Sequence, residues 1–327
     1  MIRKIVIADH HGFCMGVKRA INIAEDTAEG AADAADAAGV ASDVTILKEI
    51  VHNNSVVNRF RDAGVKQKFQ VSEVESGTVV ISAHGVAPEV IDEAEKKGLN
   101  VIDATCPLVT RIHEIVDKLM VRGYHVIHFG DAHHDETLGV VGHALPGRIN
   151  VVSTVEALRA LPDDLADKVA LTSQATAEVA IFEEAEKAAL EKWPEIKIFN
   201  TICNATTQRQ SAIVKLADQV DVILVVGSET SANSLRLRDI AEALCGEAYL
   251  IENEASIKVE WLANGADRPP RTIGVSAGAS TPEFLVEGVV QRLAELSNNA
   301  EVVRPQKKRR DNELTLLNSE LAAGRDS

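Results

Sequence analysis

Short runs of aliphatic and β-branched residues alternate along the chain with longer stretches that carry apolar residues at helical spacing. Three of the short runs, at residues 4–8, 100–103 and 196–199, are each followed by a cysteine and then by a helical pattern. Short apolar runs predict buried strands, and a period of about 3.6 residues predicts amphipathic helices. The pattern therefore predicts a repeated unit of strand, cysteine-bearing turn and helix.

The cysteines of these turns recur at nearly constant spacing along the chain. Cys14, Cys106 and Cys203 are separated by 92 and 97 residues. Self-similarity at a fixed spacing indicates a chain built from similar structural units. Each unit has two further strands that end in polar loops, and these loops carry His52 and His84, then His134 and Gln174, then Ser231 and Ser280.

Three α/β lobes are expected from this repeat, at residues 1–98, 99–194 and 195–300. Strands that alternate with helices favour a mostly parallel sheet in each lobe, and equivalent lobes would be related by a pseudo-threefold axis. Binding sites in such sheets form at the carboxyl ends of the strands. The polar loops all lie at such ends, so we expect them to converge on one central point.

Two segments interrupt the repeat. Residues 27–43 are rich in Ala, Asp and Gly, which is consistent with an elongated helix end or a mobile surface insertion. Residues 301–327 are expected to form a charged C-terminal tail. Its basic run could contact nucleic acid, but the overall acidity of the chain favours a solvated, partly disordered segment.

The composition limits the classes of function. The 327 residues are 46% hydrophobic but only 3% aromatic, and the formal net charge is −15. Such acidity disfavours nucleic acid, because phosphate backbones need a basic surface, but a small anion can still bind in a local basic pocket. No apolar run is long enough to span a membrane, and the N-terminus lacks the pattern of a signal peptide. We therefore expect a cytoplasmic protein.

Well-separated cysteines in a cytosolic protein bind a metal, act in catalysis or are inert, because thiols stay reduced there. Cys245 lies in a helical pattern and is expected to be a small buried apolar residue. The three repeated cysteines suit one metal centre. Structural zinc needs four protein ligands, often in close Cys-x-x-Cys pairs, which this sequence lacks. A [4Fe–4S] cluster also takes four ligands, so three thiolates leave one iron open to a substrate.

Seven segments carry a resemblance to a known family. They are residues 11–20 (HGFCMGVKRA), 49–53 (EIVHN), 82–86 (SAHGV), 103–110 (DATCPLVT), 203–210 (CNATTQRQ), 225–228 (VVGS) and 277–280 (AGAS). In this order they closely resemble the 4-hydroxy-3-methylbut-2-enyl diphosphate reductase (LytB/IspH) family. The resemblance implies a three-lobed α/β fold around one [4Fe–4S] cluster on the three repeated cysteines. It also implies the last step of the non-mevalonate isoprenoid route, which yields isopentenyl and dimethylallyl diphosphates.

The same resemblance implies roles for individual residues. The substrate's allylic hydroxyl would bind the open iron, and two electrons would arrive singly from a ferredoxin or flavodoxin. Glu136 matches the family's proton donor, and burial beside the substrate would favour its protonated form. The positions that match the diphosphate-binding residues are His52, His84, His134, Ser231, Asn233 and Ser280.

The second and third units depart from the family pattern. Ala175 stands where the family has a threonine that relays the proton, which leaves Thr176 or a water as the candidate relay, and Ala232 replaces a serine. A paralogue acting on another allylic diphosphate and a non-catalytic iron–sulfur sensor are therefore alternatives to the reductase. A further alternative is an enzyme like quinolinate synthase, with three lobes and three cluster cysteines, but the motifs around Cys14 and Cys106 argue against it.

Overall fold

The computed structural model describes residues 2–38, 43–262, 271–297 and 300–305, which contain thirteen strands, eleven α-helices and two short 3₁₀ helices. The strands are β1 (Ile2–Ile7), β2 (Val44–Leu47), β3 (Lys66–Lys68), β4 (Thr78–Ile81), β5 (Asn100–Asp103), β6 (His125–Phe129), β7 (Ile149–Val152), β8 (Val169–Ser173), β9 (Lys197–Ile198), β10 (Val222–Val226), β11 (Ala248–Ile251), β12 (Arg271–Ala277) and β13 (Glu301–Val303). The helices are α1 (Met15–Ala38), α2 (Asn54–Asp62), α3 (Pro88–Lys96), α4 (Pro107–Val121), α5 (Asp135–Gly142), α6 (Val155–Ala160), α7 (Val179–Lys192), α8 (Asn204–Ala217), α9 (Ala232–Cys245), α10 (Val259–Leu262) and α11 (Glu283–Leu296).

The strands form three sheets, and each sheet with its helices is one lobe. The order is β3-β2-β4-β5 in the first lobe, β7-β6-β8-β9 in the second and β11-β10-β12-β1-β13 in the third. All strand pairs within the described residues are parallel. Helices cover the sheets, so the central strands are buried, as parallel sheets require. The predicted fold class, three α/β lobes with mostly parallel sheets, is confirmed.

Strand pairing differs from the lobe boundaries expected at residues 1–98, 99–194 and 195–300. Strand β5 pairs with β4, β9 pairs with β8, and β1 lies between β12 and β13. The first strand of each repeat unit thus completes the sheet of the neighbouring unit. The physical reason is the crossover connection: a helix such as α3 returns the chain so that the next strand lies parallel beside the last one. Each cysteine-bearing turn therefore lies at a junction between two lobes.

The two interrupting segments are partly described. Residues 27–38 continue helix α1 to Ala38, which agrees with the elongated helix end, and residues 39–42 lie outside the described residues. The expected tail begins later than residue 301, because Glu301–Val303 forms strand β13 beside β1 and Arg304 pairs with Glu287. Residues 306–327 lie outside the described part. No described helix is long and apolar enough to cross a membrane.

Candidate active site

The three repeated cysteines lie where helices begin. Cys106 and Cys203 are the N-caps of α4 and α8, and Cys14 directly precedes α1. The backbone N–H of Val17 donates to Cys14 Sγ over 3.4 Å, and that of Thr206 donates to Cys203 Sγ over 3.4 Å. Helix N-termini with free N–H groups stabilise negative charge, so these positions suit sulfur ligands of a metal centre.

Close approach of the lobes brings these thiols together. A Cβ atom added at Gly16 would lie 2.4 Å from Cys106 Sγ and 4.0 Å from Cys14 Sγ, so only glycine fits there. Burial raises the pKa of the Cys106 thiol to about 12, and the nearby thiols of Cys14 and Cys203 add repulsion. Burial also raises the pKa of Cys203. Three neighbouring soft sulfur donors, of which Cys106 and Cys203 ionise with difficulty alone, fit a bound metal cluster whose positive charge stabilises thiolates.

Two arginines that the sequence analysis did not single out support the cysteine-bearing turns. Arg209 is buried and donates to the backbone oxygens of Gly12 and Ala205, which joins the first turn to the start of α8. Arg19 donates to the backbone oxygen of Thr105 over 2.9 Å and so joins α1 to the second turn. Both arginines lie inside the segments that carry the family resemblance, which is the only signal the sequence offers for them.

Three histidine side chains from the first and second lobes form a cluster. The rings of His52 and His84 stack with 4.0 Å between centroids, and His134 lies edge-on at 5.2 Å from His52 and 5.7 Å from His84. His52 Nδ1 contacts Glu49 Oε2 at 2.9 Å. Burial lowers the pKa of His134 to about 4 and lowers that of His84 well below its usual range, so both rings are neutral at neutral pH.

Hydroxyl and amide groups from the third lobe lie against this histidine cluster. Ser280 Oγ donates to the backbone oxygen of His52 over 2.8 Å and lies 3.4 Å from Ser231 Oγ. Ser231 caps α9 and accepts from the hydroxyl of Ser234 over 3.0 Å. Asn233 is buried, and its Nδ2 has no hydrogen-bond partner within the described residues. A buried amide without a partner is costly, so this group fits a site for a ligand oxygen.

Glu136 is buried in helix α5 and is tied to a cysteine-bearing turn. Its Oε1 accepts from the backbone N–H of Ala175 over 2.6 Å, and the backbone oxygen of Ala175 accepts from the N–H of Cys203 over 3.0 Å. Burial raises the pKa of Glu136 to about 7, against the opposing effect of the Ala175 amide. A carboxyl group that can be protonated near neutral pH is thus held beside the thiols.

Thr176, the expected proton relay, has no hydrogen bond to Glu136 within the described residues. Its hydroxyl accepts from Gln174 Nε2 over 2.8 Å and lines a cavity of 230 Å³ that Ala232 and Arg236 also line. The buried Thr137 hydroxyl, next to Glu136, has no partner within the described residues, and Thr206 Oγ1 lies 3.1 Å from Cys203 Sγ. The sequence did not indicate a role for the hydroxyl of Thr137 or of Thr206.

Comparison of the sequence with known proteins identifies the family of this chain. The family model described as "LytB protein" matches residues 5–294. The chain belongs to the LytB family. Among curated LytB relatives, the 4-hydroxy-3-methylbut-2-enyl diphosphate reductases of Campylobacter hominis and Aquifex aeolicus are each 38% identical to this chain. These matches cover 89% of the chain in both cases, with 98% of the first relative and 96% of the second.

Solved structures agree with the family assignment. The Plasmodium falciparum E-1-hydroxy-2-methyl-but-2-enyl-4-diphosphate reductase is similar with a TM-score of 0.84 and 26% identity, over 98% of this chain and all (100%) of that one. A structure of (E)-4-hydroxy-3-methyl-but-2-enyl diphosphate reductase, described as the terminal enzyme of the non-mevalonate pathway, has a TM-score of 0.60 and 37% identity. It covers 90% of this chain and 100% of its own. The three-lobed LytB architecture is therefore shared.

Proposed function

We propose that this chain reduces (E)-4-hydroxy-3-methylbut-2-enyl diphosphate to isopentenyl and dimethylallyl diphosphates, the last step of the non-mevalonate isoprenoid pathway. The observation that carries the proposal is the position of Glu136. This buried acid is one backbone residue, Ala175, away from the cysteine turn of Cys203. The reaction is the one for which the relatives are named, and the groups that it needs in this chain are the acid Glu136 and the three repeated cysteines.

Cys14, Cys106 and Cys203 would hold a [4Fe–4S] cluster. The three thiolates would serve as its protein ligands, and the helix N-termini behind Cys106 and Cys203 would offset part of the thiolate charge. When bound, such a cluster supplies electrons singly and an open Lewis-acidic iron for the substrate. A ferredoxin or flavodoxin is the class of donor that we propose, because both carry single electrons.

The substrate's diphosphate would lie against the histidine cluster and the third-lobe hydroxyls. His52, His84 and His134 offer ring N–H donors, and Ser231, Ser280 and Asn233 offer neutral donors. The unpartnered Nδ2 of Asn233 supports this assignment, because a phosphate oxygen would satisfy it. The six side chains come from all three lobes, so substrate binding would hold the lobes together.

Proton delivery balances the reaction. The allylic C–O bond breaks, the oxygen leaves as water, and two electrons with two protons convert the alcohol into the alkene product. The protonated Glu136 is the proposed donor to the departing hydroxyl. Since Thr176 contacts Gln174 instead, we propose direct or water-mediated transfer from Glu136.

An anaerobic assay tests the proposed function. The purified protein should contain about four irons and four sulfides per chain, as the proposed cluster requires, and should turn over the hydroxymethylbutenyl diphosphate with a chemical reductant. An intact cluster without either product would contradict the proposal. Comparison of reduced ferredoxin and reduced flavodoxin as donors then identifies the class of electron carrier.

The absence of a threonine at position 175 favours one alternative, a LytB protein with lower activity or with another allylic diphosphate as substrate. Ala175→Thr separates the two functions. A large gain in turnover would support a weakened proton path in this chain, whereas unchanged turnover would support the reductase with a direct or water-mediated transfer. Product analysis with shorter and longer allylic diphosphates checks the change of substrate.

A further inference from the structure

Lys48 has an unusual backbone conformation at the carboxyl end of strand β2. Its φ is 64°, and within the described residues it is the non-glycine residue with a positive φ. This left-handed region is unfavourable for a long side chain, because its Cβ crowds the backbone. Strain of this kind persists where the surrounding structure holds it and is concentrated at functional sites. Lys48 is therefore a candidate functional residue.

The Lys48 side chain crosses from the first lobe to the second. Its Nζ donates to Asp135 Oδ1 over 2.6 Å, and both side chains are partly buried. Asp135 begins helix α5, between His134 and Glu136. Ligand atoms of Asp135, His52 and His84 all lie within 4.8 Å of one another. The ammonium group is thus hydrogen-bonded to a carboxylate that lies beside the rings of His52 and His84.

The charges at this cluster are poorly matched to a diphosphate without Lys48. Three carboxylates act on it: Glu49 contacts His52, Asp135 contacts Lys48, and the charges of Asp131 and Asp135 both act on His134. Burial lowers the pKa of His84 and His134, and the charge of Lys48 acts on both in the same direction. The ammonium of Lys48 is therefore a cationic group beside this cluster that can pair with a diphosphate.

We propose that Lys48 is a further diphosphate-binding residue, which Asp135 holds beside the histidine cluster until the anion displaces the carboxylate. The inference rests on the proposed function and deepens it. On binding, the ammonium exchanges one anionic partner for another, and the ion pair between the lobes is replaced by a contact through the ligand. Asp135 then acts as a positioning residue, since it orients Lys48 and competes for it.

Two other interpretations of the contact make different predictions. If the ion pair only stabilises the contact between the two lobes, loss of Lys48 and loss of Asp135 both weaken ligand binding. If the histidines and Asp135 hold a divalent cation, binding of the diphosphate requires that cation. If Lys48 binds the anion, Lys48→Met weakens binding, whereas Asp135→Asn strengthens it, because the lysine is freed and a repelling carboxylate is removed.

The test is a double-mutant cycle measured as binding of inorganic diphosphate to the anaerobic holoenzyme by titration calorimetry, with EDTA present. We expect Lys48→Met to raise Kd about tenfold or more, the loss typical of one charge-assisted hydrogen bond, and Asp135→Asn to lower it several-fold. Added to Asp135→Asn, the Lys48→Met change should again raise Kd about tenfold. Because the double variant has no carboxylate at position 135, repulsion by an unpaired Asp135 cannot be the cause of this loss of affinity.

Two further variants control for folding and for charge in general. Glycine adopts the left-handed backbone conformation at position 48 without strain, so Lys48→Gly should fold at least as well as Lys48→Met and bind equally weakly. Lys66→Met removes a lysine with the same kind of contact, 2.7 Å to Asp43, on the exposed edge strand β3, and should leave Kd unchanged.

Specific outcomes would overturn the inference. The first is a Kd for inorganic diphosphate in the double variant that lies within twofold of the Kd of Asp135→Asn. The second is weaker binding by Asp135→Asn than by the wild type. The third is binding by the wild type only when Mg²⁺ or Zn²⁺ is added. A wild-type holoenzyme that does not bind inorganic diphosphate under any of these conditions would overturn the proposed function as well.

Discussion

At the scale of single residues, burial decides what Glu136 can do. In water a glutamate is ionised at neutral pH and cannot donate a proton. Enclosed in the second lobe, its pKa rises to about 7, so a substantial fraction of the carboxyl is protonated. The single hydrogen bond from the Ala175 amide favours the ionised form but does not outweigh burial. The environment therefore converts an ordinary carboxylate into an acid for neutral pH.

Replacing Glu136 with glutamine should separate binding from proton transfer. The amide oxygen of the new side chain can still accept from Ala175, but the side chain has no acidic proton. We expect Glu136→Gln to keep the cluster and the affinity for inorganic diphosphate while turnover falls about 10²–10⁴-fold. Single-turnover kinetics with iron and sulfide analysis measure both quantities. Glu186→Gln is the control, because burial also raises the pKa of that carboxyl, away from the site.

The sign of the pH dependence follows from the same pKa. The protonated form of Glu136 is the donor, so its population is highest below pH 7 and falls as the pH rises through about 7. Turnover should therefore decline by up to about tenfold per pH unit above that point, and Glu136→Gln should abolish this decline. An unchanged pH profile in the glutamine variant would mean that another group delivers the proton.

Much of the site could be predicted at this scale, but its supporting contacts could not. The three cysteines and the six proposed diphosphate ligands lie in local motifs that the chain displays directly. Lys48 and Asp135 are 87 positions apart, and nothing in either local sequence indicates their contact. Thr176 was expected to relay a proton because of its neighbour in the chain, whereas its hydroxyl contacts Gln174.

At the scale of elements, the cysteine site depends on how closely the start of helix α1 approaches the turn that carries Cys106. The sequence predicts the strand, turn and helix around each cysteine, because apolar period and turn composition are local properties. It does not predict the close contact between the start of α1 and the turn that carries Cys106. That contact depends on Gly16, which has no Cβ atom to separate the two.

Gly16→Ala should damage the cluster site while leaving the helix intact. Its new Cβ would lie 2.4 Å from Cys106 Sγ and 3.2 Å from Cys106 Cβ, so the thiol must move. Such overpacking typically costs about 1–3 kcal/mol, and the shifted sulfur would hold iron poorly. We expect iron and sulfide content to fall by half or more after identical reconstitution, as measured by chemical analysis and visible absorbance.

Gly30→Ala is the matched control for this experiment, because Gly30 lies in the same helix and a Cβ there meets nothing within 4 Å. Alanine in a helix interior is favoured over glycine by about 0.5–1 kcal/mol, so this variant should be slightly more stable with a full cluster. Wild-type cluster content in Gly16→Ala would show that the turn of Cys106 can move without harm.

At the scale of the whole molecule, the three lobes are linked by exchanged strands. The repeat in the sequence predicts three units, but strand order is a long-range property that local pattern does not contain. Strand β1 precedes the first lobe in the chain and yet lies in the third sheet, between β12 and β13. The N-terminal strand therefore pairs with strands near the other end of the chain. The first cysteine turn follows β1, and the other strands of that sheet come from the third lobe and from β13, which follows it.

Removal of residues 1–8 should therefore unfold the third lobe, although it is far away in sequence. The deletion leaves a gap between β12 and β13 and takes away the buried side chains of Ile5, Val6 and Ile7. Burial of each contributes about 1.5–3 kcal/mol, and together with the lost strand pairing this approaches the roughly 5–15 kcal/mol that stabilises a typical domain. Hydrogen exchange should show lost protection in β10 and β12, while β2, β4, β6 and β8 remain protected.

Ending the chain at residue 300 is the corresponding control, because it removes only the edge strand β13 from the same sheet. An edge strand that is partly exposed contributes less burial than a central one, so protection in β10 and β12 should persist. A synthetic peptide of residues 1–8 should restore protection to the first truncation, since strand pairing and burial need no covalent link. Full protection without the peptide would mean that the third sheet is stable without its interior strand β1, and that the first cysteine turn owes its position to the first lobe alone.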